Sequence, residues 1–268
     1  APEAATFDTD PRIASAQAMY DAMLERVPEL AAIHNFSSLL PQECNAIHTL
    51  HFASADFWAV YDVPDYLDWM THGKQPGVMN THKRVLQQLQ WKGPKGRWIL
   101  KSPPNLLLLD EVLETYPDAC LVQTHREPAR IVASLASMVR AIRRSYYGDE
   151  PALTDGKAIA RSVLKYFGEA LERATKRRED PVMDARFLDI AYRDIVNHPI
   201  ETLQRIYARF DLPWTNVFET RLRKHITAGR DTGHGKHRYD MNEFGIAELK
   251  LDQQFPAYRA RFGELLGD

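Results

Sequence analysis

The stretch from Leu121 to Pro128 reads LVQTHREP and decides the fold of this chain. The apolar run around its first residues predicts a buried strand over 119–124. Pro128 then stands where proline is favoured at the start of a helix, and apolar side chains at helical spacing predict that helix over 128–144. A strand that passes directly into a helix is the basic unit of an α/β fold.

The flanking sequence extends this unit into a sheet surrounded by many helices. The stretch RWILK at 97–101 is short, apolar and bounded by breakers, and 185–190 has the same character, so both predict strands. Strand, helix, strand and helix within about 50 residues predict a parallel, right-handed arrangement. Helical periodicity predicts further helices over about 11–27, 41–61, from about 63, 78–91, 105–116, 153–178, 199–209, 214–228 and 252–266.

We predict one α/β domain over 1–268, with a helical region at about 11–91 and a sheet-bearing core at about 97–245. A formal net charge of −2 gives no support for binding nucleic acid or anionic membrane through bulk charge. The two cysteines have no metal-ligand spacing, and no stretch approaches the roughly 20 apolar residues of a membrane span. Because the sequence does not begin like a signal peptide, we expect a protein of the reducing cytoplasm.

Arg126 lies at the carboxyl end of the first predicted strand, just before a helix. Ligands of open α/β sheets bind at this edge, and the free N–H groups of a helix start favour an anion there. The Arg126 guanidinium suits phosphate, and the hydroxyl of Ser134, eight residues on, flanks the apolar stripe of the helix. This pair predicts a phosphate site. The alternative is that Arg126 pairs with Glu127 or Asp110 and that Ser134 bonds a backbone carbonyl.

Three other groups fall where the same ligand would lie. Lys101 ends a neighbouring predicted strand, although a lysine also marks the solvent end of many strands. Tyr192 follows the third predicted strand, where a tyrosine either contacts a purine or caps the core. The basic loop GHGKHRY at 233–239 suits a flap over a phosphate, and equally a solvated loop. Its histidines have no ligand partners at a recognisable spacing, so we predict no metal.

In order and spacing these landmarks resemble those of the sulfotransferase superfamily, with the closest likeness to its bacterial branch, which is loosely related to tyrosylprotein sulfotransferases. The likeness covers nearly the whole chain and rests on order and spacing together rather than on any single motif. The matching landmarks are Lys101-Ser102-Pro103, Arg126-Glu127-Pro128 with Ser134, Phe187 to Asp194, and Lys236-His237-Arg238-Tyr239.

The resemblance implies a P-loop-like parallel sheet and a donor, 3′-phosphoadenosine 5′-phosphosulfate, which is converted into 3′,5′-adenosine bisphosphate. It implies that Arg126 and Ser134 hold the 3′-phosphate, that Tyr192 lies near the adenine, and that Lys101 lies near the phosphosulfate bridge. It also implies a flap that closes over the nucleotide, formed by Lys236, His237, Arg238 and Tyr239.

The sequence departs from the family at its beginning. The family opens with a strand and a Gly-x-Pro-Arg-Ser-Gly-Thr-Thr-like loop that binds the 5′-phosphosulfate, and no such loop occurs in these 268 residues. We therefore expect a first strand and loop upstream of Ala1, and we expect this sequence to transfer sulfate poorly without them. Pro103 stands where the eukaryotic cytosolic branch has a histidine base, whereas other branches use a glutamate.

Sulfuryl transfer requires a base for the proton of the acceptor hydroxyl. The sequence offers Glu43, His48 and His51, on the helix predicted over about 41–61, where Glu43 and His51 share a face. Lys101 can stabilise the charge that develops on the bridging oxygen. Solvated or core-bound side chains explain the same residues without catalysis.

Two other functions are compatible with the sequence. One is a non-catalytic nucleotide-binding module of the same fold. The other is a small P-loop kinase or other phosphotransferase, against which the absence of a Gly-x-x-x-x-Gly-Lys-Ser/Thr loop counts. The acceptor pocket is expected among the helices at 11–91, where aromatic residues favour a hydrophobic, lipid-like alcohol but are equally typical of a plain core. These residues are Phe52, Phe57, Trp58, Tyr61, Tyr66 and Trp69.

Overall fold

The computed structural model describes Phe7 and residues 9–93, 96–229 and 237–267. Two strands, β1 (Leu121–His125) and β2 (Phe187–Ala191), form a parallel pair in which the last residue of one faces the last residue of the other. The remaining regular structure of the described residues is helical. The α/β class with a small parallel sheet and many helices is therefore confirmed.

Helices surround the strand pair. Among the described residues they are α1 Pro11–Arg26, α2 Leu30–Ile33, α3 Asn45–His48, α4 Ala55–Val60, α5 Pro64–His72, α6 Val78–Gln90, α7 Leu109–Thr115, α8 Pro128–Tyr147, α9 Pro151–Thr154, α10 Gly156–Arg177, α11 Pro181–Asp184, α12 Tyr192–Asn197, α13 Pro199–Arg209, α14 Asn216–Gly229 and α15 Pro256–Phe262. Short 3₁₀ turns cover Thr49–His51, Pro103–Leu107, Ile246–Leu249, Leu251–Gln253 and Gly263–Leu265.

Local sequence signals fix most of the helix starts. Pro11 opens α1, and the carboxylate of Asp10 accepts a hydrogen bond of 2.9 Å from the backbone N–H of Arg12, which satisfies one of the free donors of the first turn. Pro128 opens α8 in the same way, at the first helical position. Both helices lie where the periodicity predicts them, because the cap and the apolar stripe indicate the same start.

The strand predicted at 97–101 is wrong. Residues 96–101 have no regular secondary structure, and Ile99 is 89% exposed. A strand needs a neighbour that pairs with its backbone N–H and C=O groups, and no described segment forms such a ladder with these residues. The length and apolar composition of this stretch are therefore typical of a strand, but they do not show whether another strand pairs with it.

The single helix predicted over about 41–61 is also wrong. The helical path ends at Phe52, whose backbone φ of 58° is left-handed, and a new helix, α4, begins at Ala55. Ser54 starts α4 because its hydroxyl accepts a hydrogen bond of 3.2 Å from the N–H of Asp56. Glu43 precedes α3, so it does not share a helix face with His51.

The core lies between the two longest helices, α8 and α10. Val132 and Val139 of α8 and Val163 of α10 are completely buried. Helices α4, α5 and α15 pack around this pair. Because α8 leaves directly from β1, its packing against α10 fixes the direction of the helix that begins at the sheet edge.

A buried charge links the two strands to the end of α10. Arg178 is 2% exposed, and its guanidinium donates hydrogen bonds of 2.8 and 2.7 Å to the two carboxylate oxygens of Asp189 on β2. It also donates to Gln123 Oε1 on β1 at 2.8 Å. His125 Nε2 donates to Asp189 at 2.8 Å, since a carboxylate only accepts. His125 Nδ1 lies 2.9 Å from the hydroxyl of Tyr258 on α15.

This network determines the charge state of Asp189. Burial alone would raise the pKa of Asp189, but the hydrogen bonds from His125 and Arg178 and the charge of Arg178 outweigh it and hold the pKa at about 2. The carboxylate therefore remains ionised and keeps the buried guanidinium neutralised.

We expect the substitution Asp189→Asn to lower the free energy of unfolding by about 3 kcal/mol, because it leaves the buried charge of Arg178 with Asp184 as its remaining carboxylate. Urea unfolding at pH 7 measures the change. Asp149→Asn, which removes a carboxylate that is 78% exposed beside Arg144, is the control and should cost less than about 1 kcal/mol. Equal costs for the two substitutions would contradict the network's role.

Candidate functional site

The carboxyl ends of the two strands bring Arg126 and Tyr192 together. β1 and β2 end side by side at His125 and Ala191, so the next residue of each lies at the same edge. The guanidinium carbon of Arg126 lies 4.5 Å from the centre of the Tyr192 ring, which is the geometry of a cation–π contact. Tyr192 is 42% exposed, so part of the ring remains accessible to solvent.

The carboxylates that could have paired with Arg126 have other partners. Glu127 binds Arg259 through two hydrogen bonds of 3.0 and 2.5 Å, and Asp110 accepts a hydrogen bond of 2.7 Å from Arg177. Both carboxylates that the alternative interpretation assigns to Arg126 thus bind another arginine.

Helix α8, which begins at this edge, carries Ser134 in its second turn and contacts the late loop. Ser134 is half-buried on α8, and Ser137, one turn further, lies 3.1 Å from His237 Nε2. The Tyr239 hydroxyl donates a hydrogen bond of 3.3 Å to the carbonyl of Arg130 in the first turn of α8. The described part of the loop thus lies against the half of α8 nearest the sheet edge.

The other members of the loop contribute less to this contact. Arg238 is exposed. Lys236 lies outside the described residues. His237 also contacts the ring of Tyr239, with 5.0 Å between ring centres, and burial lowers the pKa of His237. A neutral imidazole beside a serine hydroxyl can donate or accept a hydrogen bond, according to its tautomer.

A cleft of about 450 Å³ opens beside the start of α8. Glu127 and Arg130 line one side of it, and the carboxyl-terminal residues Arg259, Gly263 and Leu266 line the other. The cleft is therefore at the same end of α8 as Arg126. The described residues contain no group of three or more histidine, cysteine or carboxylate side chains placed to bind a metal ion.

Lys101 and Glu43 meet in an ion pair. Lys101 Nζ lies 2.7 Å from Glu43 Oε1. A backbone hydrogen bond of 3.0 Å from the N–H of Cys44 to the carbonyl of Lys101 holds the two chain segments side by side. The lysine side chain is 71% exposed, whereas that of Glu43 is 25% exposed, so the lysine is the solvated member of the pair.

Two further titratable groups were missed by sequence reasoning. His34 stacks on Phe36, and its pKa is lowered by burial and by the charge of Lys101, while Glu43 acts in the opposite direction. Tyr166 is buried, and its hydroxyl has no hydrogen-bond partner among the described residues. Burial raises the pKa of Tyr166, and the charges of Asp56, Tyr66 and Glu43 add to the shift in decreasing order. No local motif marks either residue, because their surroundings are formed only by the fold.

The two predicted histidines lie in different surroundings from Glu43. Both ring nitrogens of His51 are engaged: Nδ1 lies 3.0 Å from Thr81 Oγ1 and Nε2 lies 2.9 Å from the carbonyl of Pro76. His48 is 1% exposed, and neither of its ring nitrogens has a partner among the described residues. Its ring lies 5.5 Å from that of His82. Burial and the neighbouring His82 lower the pKa of His48 to about 4.

The sequence of this chain is similar to that of known proteins. A family model described as "Sulfotransferase family" matches residues 1–216. Two curated relatives, named omega-hydroxy-beta-dihydromenaquinone-9 sulfotransferase Stf3, come from Mycobacterium bovis and Mycobacterium tuberculosis. Each is 23% identical over 167 residues, which are 62% of this chain and 41% of the relative. The chain therefore spans less than half the length of these relatives.

The fold also has a solved counterpart. The crystal structure of sulfotransferase STF9 from Mycobacterium avium superposes with a TM-score of 0.76 at 23% identity, over 97% of this chain and 65% of that one. No helix among the described residues is long and apolar enough to cross a membrane.

The buried His48 makes stability depend on pH. Its pKa in the folded protein, about 4, is below its ordinary value of 6.5, so the unfolded chain takes up a proton first as the pH falls. The stability that depends on a neutral His48 is fully present above pH 6.5 and is lost as the pH falls towards 4. We expect a loss of up to about 3 kcal/mol.

Chemical denaturation between pH 7 and pH 4.5 measures the slope of the free energy of unfolding against pH. The substitution His48→Leu should make it shallower, because leucine fills the site without a group to protonate. The control, His198→Leu at an exposed position, should keep the wild-type slope. An unchanged slope in His48→Leu would show that another group is responsible.

Proposed function

The chain belongs to the sulfotransferase family, and from this premise we propose that it moves a sulfuryl group from 3′-phosphoadenosine 5′-phosphosulfate to the hydroxyl of a hydrophobic, lipid-like alcohol. The observation that carries the proposal is the contact between Arg126 and Tyr192 at the carboxyl edge of the strand pair. An arginine and an accessible aromatic ring at this edge are the groups that a nucleotide phosphate and a purine require.

The residues at the edge fit the donor nucleotide. Arg126 and the hydroxyl of Ser134 are proposed to hold the 3′-phosphate, since the start of α8 adds a positive dipole end. Tyr192 is proposed to contact the adenine through the part of its ring that is exposed. The loop that contains Lys236, His237, Arg238 and Tyr239 is proposed as a cover, and the contacts of His237 and Tyr239 with α8 support this.

The chemistry is proposed to take place at the ion pair. When bound, the donor supplies a sulfuryl group whose S–O bond to phosphate breaks as the acceptor oxygen binds sulfur, with the bonding electrons left on the phosphate. Glu43 is proposed to accept the proton of the acceptor hydroxyl, and Lys101 to stabilise the negative charge on the departing oxygen. Their separation of 2.7 Å supports a shared site.

Glu43 is preferred to the two histidines as the base. A base needs a free lone pair that can reach the acceptor hydroxyl. The nitrogens of His51 already bind Thr81 and Pro76, and His48 is enclosed in the interior. Both histidines are therefore assigned structural roles in this proposal.

The acceptor is proposed to lie along the helical region at about 11–91. A row of aromatic rings crosses this region: Phe52 stacks on Phe57, Phe57 contacts Tyr66 edge-on, and Tyr66 lies 5.5 Å from Trp69. Phe52 is 71% exposed, so the row reaches the surface. The names of the curated relatives give a hydroxylated menaquinone as the molecule on which they act, which supports a lipid-like acceptor.

The substitution Arg126→Gln should weaken binding of 3′,5′-adenosine bisphosphate roughly 10- to 150-fold, because it removes a charged hydrogen-bond donor. Ser134→Ala should weaken it roughly 2- to 10-fold. Titration calorimetry at one fixed salt concentration measures both. Arg144→Gln is the control, because Arg144 lies at the far end of α8 and pairs with Glu29 and Asp149. This variant should bind the bisphosphate with the affinity of the wild type. Equal losses in Arg126→Gln and Arg144→Gln would remove the proposed phosphate site.

In a form of the protein that carries a 5′-phosphosulfate loop, the substitution Glu43→Gln should lower the rate of sulfate transfer roughly 100- to 10,000-fold, because the amide cannot take up the proton of the acceptor. A panel of long-chain alcohols with labelled donor serves as the assay. Glu248→Gln, which removes an exposed carboxylate beside Lys157, should keep full activity. Wild-type transfer rates in Glu43→Gln would show that another group acts as the base.

A further inference from the structure

Glu43 and Lys101, which have opposite roles in the proposed transfer, neutralise each other's charge. Glu43 is required with a free oxygen, because it takes up a proton, and Lys101 is required with a free ammonium group, because it faces developing negative charge. In the structure Glu43 Oε1 already lies 2.7 Å from Lys101 Nζ. While the pair is closed, Oε1 of the carboxylate and one of the three donors of the ammonium group are engaged.

The pair is built so that the lysine can leave without disturbing the backbone. The Lys101 side chain is 71% exposed, and an ion pair so open to water is weakly held. Its four-carbon stem rotates freely. The hydrogen bond from the Cys44 N–H to the Lys101 carbonyl keeps the two segments in place when the side chain turns. Glu43, at 25% exposure, is the less exposed partner.

We propose that the Lys101–Glu43 ion pair is a latch that the donor opens. The 5′-phosphosulfate competes with Glu43 for the ammonium group of Lys101, and the carboxylate becomes free for the acceptor hydroxyl when the lysine changes partner. Both carboxylate oxygens of Glu43 are thus available to the acceptor hydroxyl only in the donor complex, which favours binding of the donor first and the acceptor second. This inference rests on the proposed function, because it takes the roles of the two residues from it.

The latch has a thermodynamic consequence for binding of the nucleotide alone. Part of the binding energy is used to open the ion pair, so removal of Glu43 should strengthen nucleotide binding even though it abolishes transfer. Because an ion pair this exposed is weak, we expect Glu43→Gln to bind 3′,5′-adenosine bisphosphate only about two- to fivefold more tightly than the wild type. A glutamate that acts only as a base, or only as a structural residue, would not strengthen binding.

A double-mutant cycle tests the proposal by titration calorimetry with 3′,5′-adenosine bisphosphate. Lys101→Met should weaken binding about tenfold, and Glu43→Gln should have no further effect when it is added to Lys101→Met. Glu43→Asp, whose shorter side chain lengthens the ion pair, should tighten binding to a smaller extent than Glu43→Gln and provides a second variant. Thermal unfolding of each variant verifies that it is folded.

Two controls separate the latch from a general charge effect. Adenosine 3′-monophosphate has no 5′-phosphate to attract Lys101, so Glu43→Gln should bind it as the wild type does. Glu248→Gln removes the carboxylate of another exposed lysine–glutamate pair, Lys157 and Glu248 at 2.6 Å, and should leave the affinity for both nucleotides unchanged. Equal tightening for both nucleotides, or tightening in Glu248→Gln, would overturn the latch.

The outcomes also distinguish the latch from the function on which it rests. Wild-type protein that binds the bisphosphate, together with Glu43→Gln of unchanged affinity, would overturn the latch and leave the proposed function intact. Wild-type protein that binds neither nucleotide would overturn both.

Discussion

The positive charge of Arg178 is the constraint around which the sheet is built. This guanidinium is 2% exposed, and an isolated charge at such a depth is prohibitively costly. Two carboxylates, Asp189 and Asp184, neutralise it, and Gln123 provides a further acceptor. The rings of Phe187 and Phe262 lie 4.1 and 5.0 Å from it. Both strands, the end of α10 and the carboxyl-terminal helix must therefore meet at one point.

That meeting point also sets the candidate site. Asp189 lies two residues before the end of β2, and His125, which donates to it, is the last residue of β1. Arg126 and Tyr192 come immediately after these anchored positions. The contact between them thus follows from the network below, and loss of the network would displace the site.

The sequence predicts the parts of this structure that depend on local signals. The strand around Leu121, the helix that starts at Pro128 and the basic character of the sheet edge all follow from residues within one turn or one strand. The strand at 97–101 could not be judged in this way, because a strand exists only with a partner. The break at Phe52 depends on a left-handed backbone that no glycine announces. Contacts between distant residues were not predictable either: Lys101 and Glu43 were both singled out, but their pairing was not, and His125 and Tyr258 are 133 residues apart.

The candidate site therefore combines two halves that are held with different strength. Arg126 and Tyr192 follow strands that are anchored by buried, charge-assisted hydrogen bonds, which are strong in a low-dielectric interior. Lys101 and Glu43 are held by a solvent-screened ion pair and a single backbone hydrogen bond, which resist displacement weakly. Recognition of a nucleotide benefits from a rigid platform, whereas proton removal and charge stabilisation require groups that change partner during the reaction. In the proposed function, the rigid sheet edge meets the first requirement and the adjustable ion pair meets the second.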